Sequence, residues 1–114
     1  MKLTTKELGD IRAVFLEGRM DVHRSLEVEA DLEQMVAAGV TRIIIDLNNL
    51  EFLSSSGLRV FLGLLKKLRE QKGRLAFCRI PAEVRKVIRI SELEDLFEIH
   101  DGMEDALASI RGSG

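Results

Sequence analysis

Along this chain the spacing of apolar positions changes period several times, and each change marks a predicted element. Residues 2–8 carry Leu3 and Leu8 and read as a first strand. Gly9-Asp10 is a turn signal between two apolar runs and predicts a hairpin. In residues 11–17, Ile11, Ala13 and Phe15 alternate with Arg12, Val14 and Leu16. Both faces are partly apolar, as in a central strand, and Gly18 is expected to end it. Residues 24–38 predict an amphipathic helix of imperfect period through Leu26 and Ala30, with Leu32, Met35 and Val36 as its stripe and Gly39 as the residue beyond its end. Residues 41–47 hold three consecutive isoleucines, Ile43 to Ile45, which read as a buried parallel strand. Asn48-Asn49 is expected to turn, and Leu50-Glu51-Phe52-Leu53 leads to Ser54-Ser55-Ser56-Gly57.

The strongest helix is predicted over 56–72. Leu58, Phe61, Leu62, Leu65 and Leu68 share one face, Lys66, Lys67, Arg69 and Lys72 suit the negative end of the dipole, and Gly73 stops it. Residues 74–79 read as a fourth strand. Pro81 is placed at the first position of a short helix that turns Val84, Val87 and Ile88 inward. Leu93 and Leu96 are expected to pack in the connection, and Phe97-Glu98-Ile99-His100 forms a short last strand. Asp101 with Glu104 three residues on suggests a capping box for a final helix striped by Met103, Leu107 and Ile110. The order β-β-α-β-α-β-α-β-α implies an α/β domain with right-handed crossovers, a mostly parallel sheet and an antiparallel N-terminal edge strand.

Composition narrows the function. A chain of 114 residues is one domain, assigned to 1–111, with 112–114 expected to be a disordered tail. A net charge of -2 and the lack of Tyr and Trp argue against nucleic-acid binding and base stacking. No apolar run reaches the roughly 18 residues that span a bilayer, so the expected compartment is the cytoplasm, with no membrane insertion. Cys78 lies in an apolar run and is expected to be a small buried hydrophobe.

Candidate chemistry is sparse. His23 and His100 are far apart and have no metal-ligand spacing with Cys78, so neither a metal nor a cofactor is expected. His23 is placed on the surface and His100 half-buried at a strand end. Phosphate-cradling glycine motifs and the G-x-S-x-G elbow are absent, which argues against an enzyme. Arg79, Arg85, Lys86 and Arg89 read as a solvated face balanced by Glu83, Glu92, Glu94 and Asp95, with an acidic partner as the alternative. The serines stand out. One of them can cap the following helix, which contributes roughly 1 kcal/mol. Capping does not account for three in a row, nor for Gly57, whose missing side chain opens the backbone to close approach.

The run Ile43-Ile44-Ile45-Asp46-Leu47, Leu50, Phe52-Leu53-Ser54-Ser55-Ser56-Gly57-Leu58-Arg59-Val60 resembles the central motif of STAS domains, specifically bacterial anti-sigma-factor antagonists. Gly18-Arg19-Met20-Asp21 resembles the family's Gly-x-Leu/Ile-Asp, and Ile80-Pro81 through Ile90 resembles its third-helix region. The resemblance implies a non-enzymatic partner of an anti-sigma factor that is also a serine kinase. It implies phosphorylation on Ser55, with Ser56 and Ser54 as further candidates, and reversal by a PP2C-type phosphatase. It places the partner surface at Asp21, Ser54, Ser55, Ser56, Gly57, Leu58 and Arg59. The alternative within the family is a STAS subunit docking in a larger assembly, such as a lipid-transport ATPase complex or a multi-protein sensor. Ser54 departs from the pattern, since the family has aspartate there.

Overall fold

The computed structural model describes residues 2–112, and the element order is the one the sequence predicts. Strand β1 (Lys2–Leu8) turns at Gly9, which has φ +68°, and pairs antiparallel with β2 (Ile11–Met20). Parallel pairing then adds β3 (Arg42–Leu53), β4 (Arg74–Cys78) and β5 (Glu98–His100), giving the order β1-β2-β3-β4-β5. The helices are α1 (Val22–Ala37), α2 (Ser55–Glu70), α3 (Ala82–Ile90) and α4 (Met103–Gly112).

Alternation along the strands sorts the apolar side chains into two layers. On one face Val14, Leu16, Ile43, Ile45, Leu75 and Phe77 pack against α1, α2 and α3. Phe77 packs between Phe61 and Phe97 in tilted and edge-on contacts, with ring centroids 5.0 Å from each. On the other face Ile11, Ile44, Ala76 and Cys78 are covered by Ala106 and Ile110 of α4. Cys78 is buried, as its apolar run implies.

Several local expectations are corrected. Neither Gly18 nor Asn48-Asn49 ends a strand: β2 continues to Met20 and β3 to Leu53. Helix α1 begins at Val22 rather than 24, and Leu26 points to solvent while Ser25 and Val28 turn inward. Burial of Ser25 is tolerated because its Oγ donates to the Asp21 carbonyl at 2.7 Å. Helix α2 ends at Glu70. Lys72 takes the left-handed position (φ 58°) and the Gly73 N–H returns to the Leu68 carbonyl at 2.7 Å, a Schellman closure. Gly73 is glycine for another reason: a Cβ there would strike the Thr41 carbonyl oxygen.

Strand β4 stops at Cys78, one residue early, and Arg79 leaves it with φ 54°. Pro81 is the N-cap of α3 rather than its first residue, its carbonyl accepting the Arg85 N–H at 2.8 Å. Leu96 is exposed instead of packed, and β5 starts at Glu98. The first turn of α4 closes on the Gly102 carbonyl, so Gly102 and not Asp101 starts that helix. Gly112, expected in the tail, closes α4, and the rest of that tail, 113–114, lies outside the described residues.

Candidate functional site

The site begins as a register problem in β3. Its side chains facing α1–α3 are Ile43, Ile45, Leu47, Leu50 and Leu53. The spacing passes from two to three residues, so β3 carries extra residues after Asp46. The pairing with β2 shows this directly: Phe15 faces Asp46 but Glu17 faces Asn49, and Gly18 faces Leu50 but Arg19 faces Phe52. Each shift is a bulge that keeps the apolar residues inward and bends the strand. Gly18 sits at the second shift with φ 84°, a conformation that favours glycine. Pairing of β4 with β3 ends at Asp46, and pairing of β1 with β2 ends at Glu17. The last residues of β2 and β3 therefore form a two-stranded parallel ribbon beyond the rest of the sheet.

Both helices that matter start at the ribbon's tip. Met20 pairs with Leu53, and the Ser54 N–H donates to the Met20 carbonyl at 3.0 Å. Asp21 and Ser54 are thus held side by side, each as an N-cap. Asp21 accepts the Arg24 N–H at 2.9 Å, and Ser54 Oγ accepts the Gly57 N–H at 3.1 Å. Ser54 does the capping that an aspartate would do in the same place, which is why the departure leaves the loop intact. It brings no charge, however. Helix α1 begins under a carboxylate, whereas α2 has no acidic residue in its first turn and carries Lys67 and Arg69 in its last.

The remaining site residues divide by burial. Ser55 is exposed at the first position of α2, and no hydrogen bond holds its hydroxyl among the described residues. Ser56 is half-buried. Gly57 and Leu58 are buried. A Cβ on Gly57 would lie 2.6 Å from Leu53 Cδ1 and 3.2 Å from Met20 Cγ and Sδ, so this glycine lets α2 seat against the strand ends. Arg59 is exposed and, with Ser56, Val22, Ser25 and Leu26, lines a shallow groove of about 210 Å³ between α1 and α2.

Sequence reasoning missed several contributors. Val22 and Leu26 stand 63% and 62% exposed beside the serines, one helical turn apart and off the inward stripe, a spacing visible in the sequence. The Phe52 ring supports the Arg19 guanidinium 4.3 Å from its centroid. Asp46, one of two buried polar residues among those described, accepts the Asn48 N–H at 2.9 Å and faces Arg79 at 3.5 Å and the Cys78 thiol at 3.7 Å. Burial and the neighbouring Asp46 charge push the Cys78 thiol up to about 12.

The two histidines are placed as expected, His23 exposed and His100 half-buried. His100 lies 2.7 Å from Glu98, far from the serines in the fold. Arg85 and Arg89 of the basic cluster both pair with Glu94. Among the described residues no group of His, Cys, Asp and Glu could hold a metal ion, and no helix is long and apolar enough to cross a membrane.

Comparison with known proteins agrees with this architecture. The STAS domain family matches residues 2–106. BtrV of Bordetella bronchiseptica, assigned as an anti-sigma factor antagonist, is 33% identical over 111 residues, covering 97% of this chain and 96% of its own. The anti-sigma F factor antagonist of Paenibacillus polymyxa is 31% identical over 98 residues, 85% of this chain and 84% of its own. The structure of the anti-sigma factor antagonist SpoIIAA in its unphosphorylated form superposes with a TM-score of 0.85 at 26% identity, covering 97% of both chains. The same Bacillus protein in its phosphorylated form superposes at 0.76 and 24% identity, covering 96% of this chain and all of that one. With the family match spanning nearly the whole chain and BtrV covered almost end to end, the chain belongs to the STAS domain family.

Proposed function

We propose that this protein is an anti-sigma-factor antagonist switched by phosphorylation of Ser55. It binds an anti-sigma factor with serine-kinase activity through the ribbon tip, where Asp21, Ser54 to Ser56 and Arg59 converge, and so frees a sigma factor. Phosphorylation of Ser55 by that partner disables binding, and a PP2C-type phosphatase restores it. The observation that carries the reading is the division of labour between adjacent serines. Ser54 Oγ is committed to the cap, and the exposed Ser55 hydroxyl beside it is left for chemistry. The names of BtrV and the Paenibacillus relative, and the two phosphorylation states of SpoIIAA, support it.

The switch is electrostatic in this reading. A phosphate adds about two negative charges at a helix N-terminus, where the dipole tolerates an anion, so it blocks a partner by charge and bulk without unfolding the domain. The exposed apolar pair Val22 and Leu26 supplies desolvated contact beside it. The test is incubation with ATP and a candidate anti-sigma-factor kinase, followed by mass spectrometry. One phosphate on Ser55, absent from Ser55→Ala, is expected. Ser55→Asp should bind the partner at least tenfold more weakly at nearly unchanged melting temperature. Equal binding by Ser55→Asp would refute the electrostatic mechanism, and capture of transporter or sensor components alone would replace the antagonist role.

A further inference from the structure

A buried carboxylate is costly unless its oxygens are paired, so the use made of Asp46 is informative. It is only 3% exposed. One oxygen, Oδ2, faces the Arg79 guanidinium at 3.5 Å and the Cys78 thiol at 3.7 Å, which balances the charge from the β4 side. The other, Oδ1, accepts the N–H of Asn48 at 2.9 Å. Asn48 lies in the stretch where β3 leaves register with β2, since the pairing passes from Phe15–Asp46 to Glu17–Asn49. A bulge leaves a backbone group off the ladder, and the carboxylate supplies the acceptor that Asn48 uses.

The last third of β3 depends on that bulge. Strand side chains alternate, so a one-residue slip would exchange the faces of everything downstream. Leu50 and Leu53 are buried among α1–α3 only because β3 carries its extra residues, and Met20–Leu53 pairing in turn places Ser54. We propose that Asp46 is a positioning residue for the serine loop, clamping the bulge at Asn48 so that the ribbon delivers Ser54 and Ser55 to the surface in a fixed setting. Asp46 reaches neither serine and acts through the backbone between them. The inference deepens the phospho-acceptor reading and rests on it for its functional half.

Amide hydrogen exchange by NMR on the full chain tests the structural half. In the parent, Asn48 should be protected, and exchange at the rate of an unstructured peptide would overturn the proposal without any variant. Asp46→Ala should speed exchange at Asn48 and Ser54 at least tenfold relative to Ile44 and Phe77. Asp46→Asn keeps an acceptor oxygen and should retain most of the protection at both. Unchanged Ser54 exchange in Asp46→Ala, or equal loss in the two variants, would also overturn it. In the functional half, a kinase that phosphorylates the parent should show a KM for Asp46→Ala raised at least fivefold, with Asp46→Asn close to the parent. An unchanged KM sinks the positioning role. If the kinase leaves the parent unmodified, the switch reading fails, while the exchange result still decides whether Asp46 holds the loop.

Discussion

Gly57→Ala and Gly63→Ala make the same chemical change in the same helix, and the structure assigns them opposite signs. At Gly57 a methyl group would stand 2.6 Å from Leu53 Cδ1 and 3.2 Å from two atoms of Met20. Carbon atoms rest about 3.5–4.0 Å apart, so Leu53 must retreat by roughly 1 Å. Both neighbours are buried, so either can move only by displacing the side chains packed around it. Overpacking of this kind costs ~1–3 kcal/mol, and in the first turn the better helix propensity of alanine recovers only part of its usual ~1 kcal/mol. The expected net loss is about 1–2 kcal/mol, or roughly 3–10 °C in Tm for a domain of this size. At Gly63, in mid-helix, a methyl group meets nothing within 4 Å and faces a crevice of about 60 Å³ between α1 and α2. Only the propensity gain remains there, about 0.8–1 kcal/mol of added stability. Urea denaturation of parent and both variants, with Tm by circular dichroism, reads the difference. Equal stability of the two variants would refute the packing argument, and so would a Gly57→Ala protein more stable than the parent.

Other expectations rest on single contacts. Ser54→Ala should lose about 1 kcal/mol with its cap, whereas Ser54→Asp keeps the cap, adds the missing charge to the α2 terminus and should melt above the parent. Burial pushes the Glu98 carboxyl up, but hydrogen bonds from Ser109, Arg74 and His100 outweigh it and hold the carboxyl below the usual range. Its contribution to stability is therefore complete above the ordinary value of 4.5 and is lost as pH falls through the lowered folded value. Glu98→Gln should accordingly show a shallower acid limb than the parent in urea titrations between neutral and strongly acidic pH. The Cys78 thiol, buried and pushed up to about 12, should resist an aromatic disulfide reagent at pH 8 in the native state and react fully in urea.

The fold was largely legible because its elements obey local rules. The hairpin at Gly9-Asp10 and the Ile43–Ile45 strand lie where periodicity puts them, and so do Leu58, Phe61, Leu65 and Leu68 of α2, although Leu64 is buried there and Leu62 only half-buried. The most telling misplaced boundary comes from a polar group satisfied by an unexpected partner. Asn48-Asn49 looked like a turn because its amide needs an acceptor, and Asp46 provides one within the strand. The step from Leu47 to Leu50 to Leu53 was the available sign of bulging, since a turn would not preserve an inward face. Asp101 gave way to Gly102 as the start of α4, a shift of one residue that side-chain preference alone does not decide. The serine loop was legible as a motif. Which serine caps and which stays free required the geometry, because neighbouring identical residues differ only in backbone position.

The unequal starts of α1 and α2 bear on how long a regulatory state can last. Asp21 gives α1 a permanent counter-ion, while Ser54 gives α2 none. A phosphate added one residue later would act as a removable counter-ion for that helix, so the modified chain should be no easier to unfold than the unmodified one. Signalling and turnover are then separable. Under the proposed Ser55 switch, a cell would store the protein in the blocked form without feeding it to proteases, and the lifetime of the signal would be set by dephosphorylation rather than by the protein's own decay.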